Sequence, residues 1–243
     1  MLKKNVSLCL ILIGTSFLLS SCIADLFGTK GKGSIVTNTI TAIDFQSVQL
    51  LTSAEVTIVK DTAFKVEVDD YENIVQYTSA KVVSHNLIIS INPVTTILSN
   101  SLAKVRISMP DSLIGLTIAG SGNIDVNAAF KDVQTLLVTG SGSINLNNSI
   151  KFNKLSSTIL GSGNITASGS ANALTAIISG SGNMNFRNLI ANDATCTITG
   201  SGNINVTAVN TLKATISGSG NIMYSGSPTI TQTITGSGNV IKN

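Results

Sequence analysis

Cys22 is the residue whose type and position most clearly predict chemistry. An almost wholly apolar run from residue 6 to residue 19 precedes it, and Lys3 and Lys4 lie before that run. The segment Leu19-Ser20-Ser21-Cys22 resembles the bacterial lipobox, in which two small residues precede a cysteine. This resemblance implies diacylglyceryl transfer to the Cys22 thiol, cleavage before Cys22 and acylation of the new amine. Such a multiply acylated terminus would anchor the chain stably in a membrane.

The lipobox interpretation also predicts where the protein resides. Residues 1–21 would form a lipoprotein signal peptide and residues 22–33 a lipidated tether; a plain signal peptide with an incidental cysteine is the alternative. Ile23 follows the cysteine, and the absence of Asp at that position favours the outer membrane. We therefore expect a lipid-anchored protein in the cell envelope of a Gram-negative bacterium, at the outer membrane, facing either the periplasm or the cell surface.

A set of asparagine side chains recurs at nearly constant spacing. The motif Gly-Ser-Gly-Asn supplies Asn123, Asn164, Asn183, Asn203, Asn221 and Asn239, and a seventh copy at Gly140 has Ser143 in the asparagine position. Outward amides in a column can bind sugar hydroxyls, or they can hydrogen-bond to one another along stacked strands and stabilise the stack. Both roles stay open from the sequence. A partial second column is expected from Asn145, Asn185 and Asn205.

The remaining polar residues argue against several kinds of chemistry. Charged residues make up 11% of the chain and His85 is the one histidine, which excludes a multi-histidine metal site. Between residues 112 and 243 the acids are Asp125, Asp132 and Asp193, too few and too scattered for paired glycosidase carboxylates or for calcium-binding repeats. The glycine motif lacks the Gly-Lys-Ser/Thr ending of a phosphate loop. A formal charge of +3 is too small for nucleic-acid binding. We expect no catalytic residue, metal or cofactor.

The elements that position these side chains follow from the same repeat. The residue two positions before the first glycine of each motif, and the residue four positions after it, are apolar in all seven copies. This alternation predicts two strands flanking a corner, where glycine would supply backbone angles that other residues avoid. Loops such as 127–131 and 188–193 would close each coil. Cys196 falls on an inward column and is expected to be a small buried hydrophobe.

A repeat of about twenty residues is typical of a solenoid, in which each repeat forms one turn of a coil. We therefore predict an all-β fold with a parallel β-solenoid of about seven Gly-Ser-Gly-Asn coils, preceded by shorter strands. Residues 34–243 would form a single domain, with a less regular part at 34–112 and regular repeats at 113–243. An open solenoid end exposes strand edges, so homodimerisation through the ends is expected.

The mature chain resembles one bacterial family. The segments that carry the resemblance are Ile43-Asp44-Phe45, Val56-Thr57-Ile58, Val66-Glu67-Val68-Asp69-Asp70, Leu87-Ile88-Ile89, Val105-Arg106-Ile107-Ser108-Met109-Pro110 and Leu116-Thr117-Ile118-Ala119-Gly120-Ser121-Gly122. Together with the glycine repeat they are similar to the putative auto-transporter adhesin family with the head GIN domain, from about Ile40 to Asn243. The resemblance implies a right-handed β-helix-like fold in an exported lipoprotein. It supplies no catalytic motif.

These observations favour a non-enzymatic envelope lipoprotein: an adhesin, or a structural or binding module with an Asn/Thr/Ser surface. Its partners would be the membrane, through the lipid, and a glycan or another surface protein. The alternative is a polysaccharide-binding or polysaccharide-degrading β-helix protein of the pectinase kind, an analogy of fold alone. Binding to ice is a third hypothesis, weakened because Leu137, Leu160 and Ile177 interrupt the outward threonine array.

Overall fold

The computed structural model describes residues 28–92, 97 and 103–243. The predicted signal peptide, Cys22 and the first part of the tether lie outside these residues. The described part is all-β, as predicted: it contains one 17-stranded sheet and a turn of 3-10 helix at Val75–Tyr77. Within the same ranges, no helix is both long enough and apolar enough to span a membrane.

The strands fall into two groups. Those of the first part are β1 (Ile35–Ile40), β2 (Ser47–Leu50), β3 (Glu55–Lys60), β4 (Lys65–Tyr71), β5 (Thr78–Val83), β6 (Asn86–Ile91) and β7 (Lys104–Met109). Those of the glycine repeats are β8 (Gly115–Ile118), β9 (Asn123–Val126), β10 (Thr135–Val138), β11 (Ser143–Ile159), β12 (Asn164–Ile178), β13 (Asn183–Ile198), β14 (Asn203–Ile216), β15 (Ile222–Gly226), β16 (Thr229–Ile234) and β17 (Val240–Lys242).

Successive coils of the repeat region stack as a parallel β-solenoid, with like residues above like. β12 pairs with β13 so that Asn164 lies opposite Asn183 and Ile178 opposite Ile198. The predicted solenoid is therefore confirmed. The predicted count of about seven coils was slightly wrong: the solenoid has about six turns, because the seven Gly-Ser-Gly corners enclose six intervals between them.

The core consists of the predicted inward columns. Ile118, Ile159 and Ile198, which precede alternate corners, are fully buried, and so are Ile124 and its counterparts after the corners as far as Ile222. Parallel stacking places each branched side chain on its equivalent in the coil below, so the columns form one continuous apolar interior. Cys196 is also fully buried, as predicted from its column.

The corners need glycine for a reason other than the predicted one. No corner glycine has φ in the left-handed region; the glycines that do are Gly33, Gly169 and Gly226. Instead, the coils approach each other closely. A Cβ built on Gly182 would fall far inside normal contact with the carbonyl oxygen of Gly163, one coil below. Glycine is required here by the neighbouring backbone and not by its own backbone angles.

The predicted closing loops differ from the structure in one of two cases. Residues 188–193 lie within β13 and pair with β12 and β14, so that prediction was wrong. The long strands β11 to β14 continue around the coil and build a third side of the solenoid. Residues 127–131, by contrast, belong to a segment between β9 and β10 that forms no strand. The first repeat coil is therefore less complete than those stacked on it.

The first part of the chain adds coils in an order that differs from the sequence. β2 lies between β6 and β8, and β3 lies between β7 and β9, all in parallel pairs. The coil made by β2 and β3 is thus inserted between two coils that come later in the chain. β5 and β4 pair antiparallel with β6 and β7, and β1 pairs antiparallel with β4. These antiparallel strands cover the N-terminal end.

Candidate functional site

The asparagines predicted from the motif form an outward column along the corners. Asn164 Oδ1 accepts hydrogen bonds from the backbone N–H and from Nδ2 of Asn183, both at 3.3 Å. Asn183 Oδ1 accepts the same pair from Asn203 at 3.1 Å. The pattern continues from Asn203 to Asn221 at 3.0 and 3.3 Å. It reaches Asn239 at 3.0 and 3.4 Å. Each side-chain carbonyl therefore fastens the next coil twice.

The lower end of this column includes the serine copy of the motif. Asn123 Oδ1 accepts the N–H of Ser143 at 3.0 Å, and Ser143 Oγ accepts from Asn164 Nδ2 at 3.4 Å. The column is thus linked from Asn123 to Asn239. Because the bonds run between coils, this geometry supports the stabilising role for these asparagines.

The predicted second column is less regular. Asn145, Asn185 and Asn205 belong to one register column, which Thr166 interrupts. Asn145 Nδ2 donates to Asp125 Oδ1 at 2.9 Å, whereas Asn185 Oδ1 accepts the N–H of Arg187 in its own strand at 3.4 Å. The second column therefore makes individual contacts and not the repeated double bonds of the first.

Three asparagine contacts on the closing side of the coils were not predicted. Asn153 Oδ1 accepts from Asn172 Nδ2 at 3.1 Å, and Asn172 Oδ1 accepts from Asn192 Nδ2 at 3.5 Å. Lower down, Asn127 Oδ1 accepts from Asn147 Nδ2 at 2.8 Å. Their spacing of 19 to 20 residues was visible in the sequence, but these residues lie outside the glycine motif.

The three repeat-region acids occupy separate positions. Asp125 on β9 accepts from Asn145, as described above. Asp193 on β13 accepts from Thr211 Oγ1 at 2.6 Å. Asp132 lies between β9 and β10 with φ of 66°, in the left-handed region. Among the described residues, no group of three or more His, Cys, Asp or Glu side chains could hold a metal ion.

A groove lies beside the irregular segment between β9 and β10. Its cavity has a volume of about 670 Å³ and is lined by residues 129–134, 149–151 and 153–154. Phe130, Val133 and Ile150 contribute buried apolar side chains. Lys131, Lys151 and Lys154 contribute exposed ammonium groups, against the single carboxylate of Asp132. The groove therefore combines a partly apolar lining with an excess of positive charge. No pattern in the sequence predicts this groove, because its lysines follow no repeat.

Backbone hydrogen bonds hold the segment between β9 and β10 away from β11. Lys131 N–H donates to the carbonyl of Asp111 at 3.0 Å, and Leu113 N–H donates to the carbonyl of Lys131 at 3.3 Å. Asp111 also forms ion pairs with Lys60 at 2.8 Å and with Lys131 at 3.1 Å. Hydrogen bonds from the Lys60 and Lys131 ammonium groups hold the pKa of the Asp111 carboxyl below its usual value. The segment is thus tied to the connection between β7 and β8.

As a result, one edge of β11 lacks a strand partner along the groove. On this side, residues 144–146 of β11 pair with β9 and residues 156–159 pair with β10. Between those stretches, the described chain supplies a strand on the opposite side only, where β12 pairs with residues 149–152 and 154–155. In the coils above, the corresponding parts of β12 and β13 pair on both sides. This edge is therefore the lower border of the third side of the solenoid.

Two side chains in the core, Cys196 and Ser157, carry a thiol and a hydroxyl group. Burial raises the pKa of the Cys196 thiol to about 12, so the thiol stays protonated and unreactive at neutral pH. Ser157, in the same register column, is fully buried, and its Oγ has no hydrogen-bond partner among the described residues. Neither group reaches the surface.

Comparisons with known proteins agree with this fold. The family model described as "Putative auto-transporter adhesin, head GIN domain" matches residues 44–228, which confirms the resemblance noted from the sequence. A solved structure of a putative adhesin from Bacteroides fragilis is 23% identical, with a TM-score of 0.81 over 89% of this chain and 100% of that chain. A putative lipid binding protein from Parabacteroides distasonis is 26% identical, with a TM-score of 0.73 over 88% and 99%. A putative adhesin from Parabacteroides merdae is 20% identical, with a TM-score of 0.74 over 89% and 99%. No curated protein matches the chain.

Proposed function

The chain belongs to the putative auto-transporter adhesin family with the head GIN domain, and from this membership we propose that it is a non-enzymatic binding module of the bacterial cell envelope. The observation that carries the proposal is the match of this family over most of a β-solenoid whose coils are fastened to one another by side-chain ladders. Such a surface is rigid and repetitive, and presents exposed polar groups to a glycan or another surface protein. The scattered positions of the three repeat-region acids argue against a polysaccharide-degrading enzyme.

The proposal includes a lipid anchor at Cys22, on the strength of the lipobox alone. Metabolic labelling with a palmitate analogue in a Gram-negative host tests it. We expect label in the wild-type chain and in Cys196→Ala, and none in Cys22→Ala. Equal labelling of Cys22→Ala would refute the anchor without bearing on binding.

Binding is tested separately with the purified Cys22→Ser chain on arrays of glycans and extracellular matrix proteins. We expect saturable binding to a glycan or protein and no release of reducing sugar from pectin or related polymers. Absence of any binding would refute the proposed function in favour of a structural role. Polysaccharide cleavage abolished by Asp125→Asn, Asp132→Asn or Asp193→Asn would refute its non-enzymatic character.

A second copy of the chain is a further proposed partner, at the C-terminal end of the solenoid. Ile230 and Ile234 of β16 continue the inward columns, but they are 36% and 39% exposed because no coil of the described chain covers them. Residues 229–234 carry no charge, so two β16 edges can approach without repulsion. We expect Ile230→Lys to abolish dimers in light scattering, and Val209→Lys, at another exposed apolar position, to leave them intact. A purely monomeric wild-type chain at high concentration would contradict this.

A further inference from the structure

Along the groove, the edge of β11 has no strand partner within the described chain. The groove opens along this edge, and residues 149–152 and 154–155, which pair with β12 on their other side, together offer about 20 Å of strand at roughly 3.3 Å per residue. A free edge presents backbone N–H and C=O groups, and another extended backbone satisfies them best. The cavity of about 670 Å³ lies within the range of about 300–1,000 Å³ that is typical of ligand pockets.

The charges around the edge restrict what can occupy it. Lys151 and Lys154 are exposed, and no ion pair engages them within the described chain. Lys131 adds a third ammonium group at the opposite wall, partly compensated by Asp111. A second copy of this edge would bring lysine against lysine and be repelled. An occupant with carboxylates would instead be attracted, and such pairing gives both specificity and a faster association rate.

We propose that the groove between β11 and the segment 127–134 binds an acidic peptide segment of a partner protein, which adds to β11 as an extra strand. Its backbone pairs with the edge of β11, apolar side chains contact the exposed Ala129 of the lining, and at least two carboxylates pair with Lys151 and Lys154. This deepens the proposed binding function, on which it rests, by assigning a site and a ligand class. The main chain of the edge favours a peptide over an acidic polysaccharide.

The experiment is a selection of random displayed dodecapeptides on the purified Cys22→Ser chain, followed by fluorescence polarisation with the enriched peptides. We expect enriched peptides with two or more Asp or Glu and few Lys or Arg. Their affinity should fall at least tenfold with the double substitution Lys151→Glu and Lys154→Glu. It should be unchanged with Lys213→Glu, a matched exposed lysine on β14. Thermal unfolding of both variants at the wild-type temperature would show that they remain folded.

A change in the ligand tests the added strand without changing the protein. N-methylation of alternate peptide residues, placed to block one backbone edge, should lower the affinity at least tenfold while keeping every carboxylate. If peptides methylated on one backbone edge and peptides methylated on the other edge both kept full affinity, strand addition would be refuted. Enriched peptides that are not acidic would overturn the proposal, and so would binding insensitive to the lysine substitutions. Lysine-dependent binding of polygalacturonate without any acidic peptide would replace the peptide with an acidic glycan.

The selection and the array experiments can fail independently. Peptide binding in the groove together with no ligand on the arrays would refute the adhesin-type role but leave the site standing. If binding to a ligand on the arrays is unchanged by the lysine substitutions, the result would support the proposed binding module and exclude the groove as its binding site.

Discussion

Substituting Gly182 by Ala tests the explanation given for the corners. The alanine Cβ would lie far inside normal contact with the Gly163 carbonyl oxygen and 2.9 Å from Cγ2 of Ile159. Both neighbours belong to the coil below, and the first is backbone that cannot rotate away. The two coils must therefore separate at this corner before the methyl group fits.

The cost follows from what the separation breaks. Overpacking of this kind costs about 1–3 kcal/mol. Two hydrogen bonds cross the same gap: Ser181 N–H to the Gly161 carbonyl at 3.1 Å and Asn183 N–H to Asn164 Oδ1 at 3.3 Å. Each is worth about 1 kcal/mol. The sum is a destabilisation of about 3–5 kcal/mol, or a decrease in Tm of about 10 °C for a chain of this size.

Gly115→Ala is the matched control. A Cβ there would lie 3.4 Å from Ser47 Oγ and 3.7 Å from the Thr135 carbonyl oxygen, which is ordinary contact. Both substitutions reduce the entropy of the unfolded chain equally, so only the corner should show the loss. The assay is thermal unfolding by circular dichroism, with urea unfolding as a second measure. A Gly182→Ala chain as stable as Gly115→Ala would refute the close-approach explanation and reopen the one based on φ.

Three further predictions concern side chains in the core and on the ladder. Ser157→Ala should raise the free energy of unfolding by about 1 kcal/mol, because it removes a buried hydroxyl without a partner; a loss in urea unfolding would mean that the hydroxyl is satisfied. Cys196, in a chain with Cys9→Ser and Cys22→Ser, should resist a thiol-reactive dye at pH 8 until denaturant is added; rapid native labelling would contradict its burial. Asn203→Ala should cost about 1–2 kcal/mol and Asn239→Ala less, since no bond is accepted by Asn239 in the described ladder; equal losses in thermal unfolding would count against the ladder as the source of stability.

The repeat made the solenoid predictable, because apolar alternation on both sides of a constant glycine corner specifies which face of each strand is buried. The burial of Cys196 followed from its column alone. The reason for glycine was not predictable from a single coil, since it depends on the carbonyl oxygen of the coil below. The same limit applies to residues 52–54. A Cβ on Gly122 would meet the backbone of Ala54, so residues 52–54 form the corner of the neighbouring coil although they contain no glycine.

The candidate site was predicted only in part. The motif asparagines were found because they share a fixed offset from the glycines, whereas Asn153, Asn172 and Asn192 were missed because they recur without a motif. The groove could not be predicted from the sequence for a different reason. It exists because Lys131 bonds to the connection around Asp111, and a contact between two irregular segments leaves no periodic trace in a sequence.

The insertion of the β2–β3 coil between later coils has a consequence for how the chain acquires its structure during synthesis. Both neighbours of this coil are made after it, so one face stays uncovered until β6 and β7 have been made and the other until about residue 126 has left the ribosome. Residues 34–126 must then assemble as one cooperative block, while each later coil can add to a finished edge. Whole repeats after Gly140 can therefore be added or removed by extending or trimming one finished edge, whereas a change of length before residue 126 alters a coil that is paired on both sides.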